Sequence, residues 1–143
     1  MITAYDALKR AVKKSFGRWY ATEWDTIEDE LKDAIRTGQA AQRQWEEIFL
    51  PRISGLSILN NADGSICISG TLSPPVTATV REENIRLLHS CETDCKFWVF
   101  ASLDFDEKFE LKGFASGDKA EEHVLALNKC EDVLYSLAFT LLA

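Results

Sequence analysis

Within seven residues, His89-Ser90-Cys91 and Cys95 bring an imidazole and two thiols close together in sequence. Imidazole nitrogen and thiolate sulfur are the ligands zinc prefers, and Cys67, Cys130 or His123 would be needed to complete a tetrahedral set. The spacing departs from the usual zinc patterns, in which Cys-x2–4-Cys pairs repeat. Cys91 and Cys95 have the permitted gap, but no second pair accompanies them. The four cysteines therefore read as reduced, partly buried thiols of a cytoplasmic protein. Nucleophilic catalysis has little to draw on: there are two histidines, no Gly-x-Ser-x-Gly elbow, no glycine-rich phosphate loop and no dinucleotide fingerprint. No cofactor is expected from these residues.

The charge is large and uneven. The 143 residues carry a net charge of −7, yet residues 1–20 hold five basic side chains (Lys9, Arg10, Lys13, Lys14, Arg18) against Asp6. That is +4, so the remainder carries −11. A body this acidic repels phosphate backbones over about a Debye length, ~8–10 Å at ordinary ionic strength. Nucleic acid is thus disfavoured as a partner, and a protein with a basic surface is favoured. The runs Glu28, Asp29, Glu30, Asp33 and Asp104, Asp106, Glu107 are the expected contact residues. The basic residues of the first helix read as a solvated face, or one that pairs with the acidic body. No apolar run approaches the ~20 residues of a membrane span, and no apolar run follows the N-terminal lysines as it would in a secretory signal.

The elements that must position these residues follow from periodicity. Tyr5, Leu8, Val12, Phe16 and Trp19 make one helical stripe. A second helix is expected from Asp25, whose Asp25-Thr26-Ile27-Glu28 resembles a capping box, to Gly38, and a third over Gln39 to Phe49, ended by Pro51. Alternation predicts strands over Gly55–Asn60 and Ser65–Ser69, joined by the turn Asn61-Ala62-Asp63-Gly64. Gly70 to Pro75 reads as a break and Val76–Val80 as a further strand, with a short helix over Glu82–His89. Phe97–Leu103 is apolar enough for a strand covered on both faces, and Phe109 and Leu111 alternate with Glu110 and Lys112 after a turn at 104–107. Helical period returns from Ser116, and Val133, Leu134, Leu137, Ala138 and Leu141 form an apolar stripe on a predicted C-terminal helix. The expectation is one α/β (α+β) domain over 1–143, helical in 1–50, with a central mixed sheet of about five strands in 54–114, and helical again in 116–143.

Phe97 to Ser116, FWVFASLDFDEKFELKGFAS, resembles the later core segment of the restriction-endonuclease-like (PD-(D/E)xK) superfamily, and Val76-Thr77-Ala78-Thr79-Val80-Arg81 falls where that family often reads Val-Glu-Val-Lys-Thr-Arg. The resemblance spans residues 63–120 at most. It implies a nuclease-like scaffold in which Thr77 takes the place of the metal-binding acid and Thr79 that of the lysine. Two hydroxyls supply neither the charge that holds Mg²⁺ nor a cation beside the attacking water. Under the resemblance a divergent Mg²⁺-dependent nuclease would need Asp63 as first ligand and Glu82 and Glu83 as displaced ones, although Asp63 in Asn-Ala-Asp-Gly also fits a turn role.

The reading favoured by charge and missing motifs is a non-catalytic binding protein. Small acidic inhibitors, such as toxin-immunity proteins and phage-encoded anti-defence (anti-CRISPR-type) proteins, share this size and charge, and they act on basic, nucleic-acid-handling proteins. The alternatives are the Mg²⁺-dependent nuclease and a subunit of a larger assembly, including a homo-oligomer.

Overall fold

The computed structural model describes residues 1–19, 47, 49–103 and 108–142. The first element is a two-residue strand, β1 (Ile2–Thr3), which passes directly into helix α1 (Ala4–Trp19). The helix starts there because Thr3 and Asp6 satisfy each other's backbone. The Asp6 carboxylate accepts from the Thr3 amide at 3.1 Å, and the Thr3 hydroxyl accepts from the Asp6 amide at 3.2 Å, a reciprocal cap. Ala4, Ala7, Leu8, Ala11 and Val12 recur at helical spacing and are buried. Thr3→Ala removes one half of the cap and is expected to lower stability by about 1 kcal/mol in urea titration.

After Phe49 a single 3-10 turn (Leu50–Arg52) leads into β2 (Ile53–Asn60) and β3 (Ile66–Leu72). Helix α2 (Ala78–Ser90) follows, then the short β4 (Glu92–Thr93), β5 (Phe97–Leu103), β6 (Lys108–Phe114), helix α3 (Gly117–Asn128) and β7 (Val133–Thr140). β1 and β4 pair antiparallel as a clasp, Ile2 opposite Thr93. The other strands form one sheet in the order β2-β3-β6-β5-β7.

The fold class is mixed α and β, as the sequence implies, but every pairing within the sheet is antiparallel. The reason is topological. β2–β3 and β5–β6 are hairpins, and β6 lies between β3 and β5, so the parallel pair β3/β5 never touches. The same holds for β6 and β7, which flank β5. α2 connects β3 to β5 and α3 connects β6 to β7. Both connections move the same way across the sheet from strands of opposite direction. A common right-handed crossover therefore puts the two helices on opposite faces.

The side chains agree. Ile53, Ile66, Ile68, Trp98, Phe100, Phe109, Leu111 and Phe139 meet α1 and Leu88 of α2 in the larger core. Val99 and Ala101 meet Ala120 and Leu127 of α3 in a smaller one. β5 is thus buried on both faces, which explains its nearly unbroken apolar sequence. Asn84, buried inside α2, donates from Nδ2 to the Ile53 carbonyl at 2.9 Å and fixes the helix against the start of β2.

Three local expectations are corrected. Val76–Val80 is not a strand. Thr77 is the N-cap of α2, extended at φ −66° and ψ 157°, and its hydroxyl accepts from the Val80 amide. Its β-branched alternation imitates a strand, but the cap and the inward Asn84 and Leu88 outweigh that propensity. The break expected from Gly70 comes later, because β3 runs to Leu72. The C-terminal stripe 133–141 is β7 rather than a helix. In an apolar run such as VLYSLAFT periods of 3.6 and 2 both find matches, and its Val, Tyr, Phe and Thr favour the pleated surface. The predicted helix over 25–38 lies outside the described residues, as does the one over 39–49 apart from Glu47 and Phe49. Phe49 is fully buried. No helix among the described residues is long and apolar enough to cross a membrane.

Candidate functional site

Of the carboxylates singled out by sequence, Asp63, Glu82 and Glu83 can be placed. Asp63 closes the β2–β3 turn. Its Oδ1 accepts from the Ser65 hydroxyl at 2.6 Å and from the Ser65 amide at 3.0 Å, and these bonds hold its carboxyl below the usual 3.8. Gly64, at φ +88°, supplies the left-handed step that the turn needs. Glu82 and Glu83 are exposed on α2. Asn84 sits against Ile53, and Cys91 at the other end of the helix bonds the Asn60 side chain, so α2 runs alongside β2 in the same direction. The two glutamates thus lie near the start of β2 and Asp63 beyond its end. Eight residues of strand separate them, about 25 Å. The structure does not bring these three carboxylates together, and Thr77 and Thr79 belong to a helix start rather than to the strand that the nuclease reading requires. Glu28, Asp29, Glu30, Asp33, Asp104, Asp106 and Glu107 lie outside the described residues.

The cysteine and histidine candidates are also separated. His89 stacks on Tyr5 of α1 with ring centroids 4.1 Å apart, and Lys9 Nζ lies over the Tyr5 ring, 5.5 Å from its centroid. Cys95 is buried, and its thiol donates to the Gly64 carbonyl at 3.3 Å. The Cys91 thiol is pushed up by burial, with its Asn60 bond opposing. Cys130 sits exposed beyond α3, its thiol donating to the Ala126 carbonyl. Among the described residues no three His, Cys, Asp or Glu side chains are grouped as a metal ion would need.

A polar cluster whose members the sequence did not group together lies on the α3 face of the sheet. Strand alternation points Cys67, Ser69, Glu110 and Lys112 to this face, because Cys67 pairs with Lys112 and Ser69 with Glu110. Lys112 Nζ and Glu110 Oε1 are 3.2 Å apart, both partly exposed. His123 of α3 adjoins them and packs on Phe114 at 5.5 Å. Burial first, and then the charge of Lys112, hold His123 below the ordinary 6.5, while Glu110 opposes. Burial pushes the Cys67 thiol above 9.0, and Glu110 pushes the same way. A protonated thiol, a neutral imidazole and an internally neutralised ion pair contain no activated nucleophile. The cluster can offer hydrogen bonds to a ligand or partner. Glu110 and Lys112 were legible as outward-facing, but their meeting with Cys67 and His123 depends on β3 lying beside β6, which no local signal encodes.

The His123 shift has a pH consequence. Its folded form resists protonation more than the unfolded chain does, so the unfolded state binds more protons just below 6.5. The contribution of the neutral imidazole is complete above 6.5 and is lost as pH falls from there through the depressed folded value. Urea midpoints should therefore fall between about pH 7.5 and about pH 5.5, and His123→Gln should flatten that slope. An unchanged slope in His123→Gln would assign it elsewhere; the Asp63 contribution lies below 3.8 and does not overlap.

Comparison of this chain with protein-family models, with curated proteins and with solved structures finds no match.

Proposed function

We propose that this chain is a non-catalytic binding protein, an acidic inhibitor of the immunity or anti-defence kind, which engages the basic surface of a nucleic-acid-handling protein. One observation carries the reading: the charge is segregated. Segments 20–46 and 104–107 contain ten acidic residues against three basic ones, which accounts for the whole net charge of −7. The rest of the chain is balanced. An acidic excess of this size steers a basic partner and discriminates against phosphate.

The test is a salt titration of binding to a partner captured with this chain and then purified. Affinity is expected to fall at least tenfold as ionic strength rises to physiological ~0.15 M. Reversing Asp29 and Glu30 to lysine, or Asp104 and Asp106, should lower it comparably at low salt while leaving the circular dichroism spectrum unchanged. Binding that is indifferent to both salt and charge reversal overturns the reading.

A further inference from the structure

β7 is the last strand of the sheet, and among the described residues nothing pairs with its outer edge. Its eight residues, VLYSLAFT, contain no charge and no proline. Edge strands normally carry such features to prevent pairing with another chain. A bulge at Leu134 interrupts the pairing with β5 at the start, leaving Tyr135–Thr140 as a regular ladder about 20 Å long.

A groove of about 660 Å³ opens along the end of this strand, beneath α3. Its apolar lining comes from Phe97 of β5, Ala120, Val124 and Leu125 of α3, and Ala138 of β7. Leu125 is 61% exposed on its rim and Leu134 is 67% exposed on the same edge. An uncharged ladder beside an apolar groove is what strand addition uses. Main-chain hydrogen bonds hold the incoming segment, and alternate side chains fill the groove.

The charges around the strand select the segment. Asp118 and Glu121 line the groove at the Thr140 end, and Glu131 and Asp132 precede Val133 at the other, all exposed. Among the described residues Lys96 adjoins the Thr140 end and Lys129 the Val133 end, with Lys108 across β5 from Val133, so these four carboxylates outnumber three cations. Lys119, next to Asp118, has its charge felt at Asp63 in the β2–β3 turn, away from β7. A second copy fits poorly, because antiparallel self-pairing of β7 would carry Asp132 of one copy toward Asp118 and Glu121 of the other.

We propose that the outer edge of β7, with the groove under α3, is a strand-addition site for an extended segment of the basic partner, apolar at alternate positions and carrying Lys or Arg at both ends. This rests on the partner reading above and names the surface that would hold part of that partner.

The test uses the full chain and a synthetic octapeptide, Lys-Leu-Thr-Val-Thr-Leu-Thr-Lys, with a control in which glutamate replaces both lysines. The lysine peptide should bind roughly tenfold more tightly than the control, since two charge pairs reverse sign. It should also slow exchange of the outward-facing β7 amides, read by NMR. Leu125→Glu on the rim and Glu121→Lys should each weaken binding at least threefold with the fold retained. Equal binding of both peptides, no protection along β7, or a β7-paired dimer of the chain overturns the site. If the purified partner still binds in a salt-dependent way but Leu125→Glu and Glu121→Lys leave that binding unchanged, this site fails while the partner reading stands. If no basic partner binds at all, the partner reading fails and the site falls with it.

Discussion

Trp98→Ala is expected to cost about 4 kcal/mol, the middle of the range for losing a large buried aromatic. Trp98 is fully buried at the junction of β5 and β6, under α1. Its Nε1 donates to the Cys95 carbonyl at 3.0 Å, so the substitution empties the volume of an indole and also leaves a buried carbonyl without its donor. Domains of this size are stable by roughly 5–15 kcal/mol, so the variant loses a large fraction of that margin. Trp98→Phe keeps most of the ring volume and removes the donor, and should cost about 1–2 kcal/mol. Urea unfolding followed by circular dichroism separates the two. A loss below about 1 kcal/mol for the alanine variant would mean that the core around β5 is not packed as described.

The partner of that side chain is a glycine. A Cβ built on Gly113 would stand 2.7 Å from both Cη2 and Cζ3 of Trp98 and 2.9 Å from Cγ2 of Ile66. The indole occupies the space a side chain at 113 would take. Gly113→Val should therefore destabilise by about 3 kcal/mol through overpacking, although valine suits a strand by propensity. The two positions should be strongly non-additive. In a Trp98→Leu background, where the ring no longer fills the gap, Gly113→Ala should cost much less than in the native chain. Additive losses in that double-mutant cycle would show that the indole and Gly113 are not in contact.

Much of this architecture was legible from local pattern. The α1 stripe, the Asn61–Gly64 turn, the doubly buried β5 and the alternating β6 each carry a signal complete within a few residues. Two elements were not, for opposite reasons. In β7 an apolar run satisfies both the helical and the strand period, and only its pairing with β5 decides. At Thr77 the local preference is for a strand, and a cap hydrogen bond together with packing seven and eleven residues further on, at Asn84 and Leu88, decides for a helix. The sites divide in the same way. The turn role of Asp63 is encoded in its neighbours, whereas the separation of Asp63 from Glu82 follows from α2 docking along β2, and the meeting of Cys67 with Lys112 follows from strand order. Strand order is a long-range property that a single sequence does not display.

That order also bears on the sequence of events in time. The β5–β6 hairpin joins residues a few positions apart, as does β2–β3, so each closes a short loop. The seam between β3 and β6 joins residues some forty apart, with Ile66 opposite Gly113 and Thr71 opposite Lys108. Loop closure disfavours such a contact until both hairpins already present paired edges. The chain is thus expected to assemble as two hairpins that zip together along β3 and β6. Native-state hydrogen exchange should find the same line as the plane along which the sheet parts first when it opens below global unfolding.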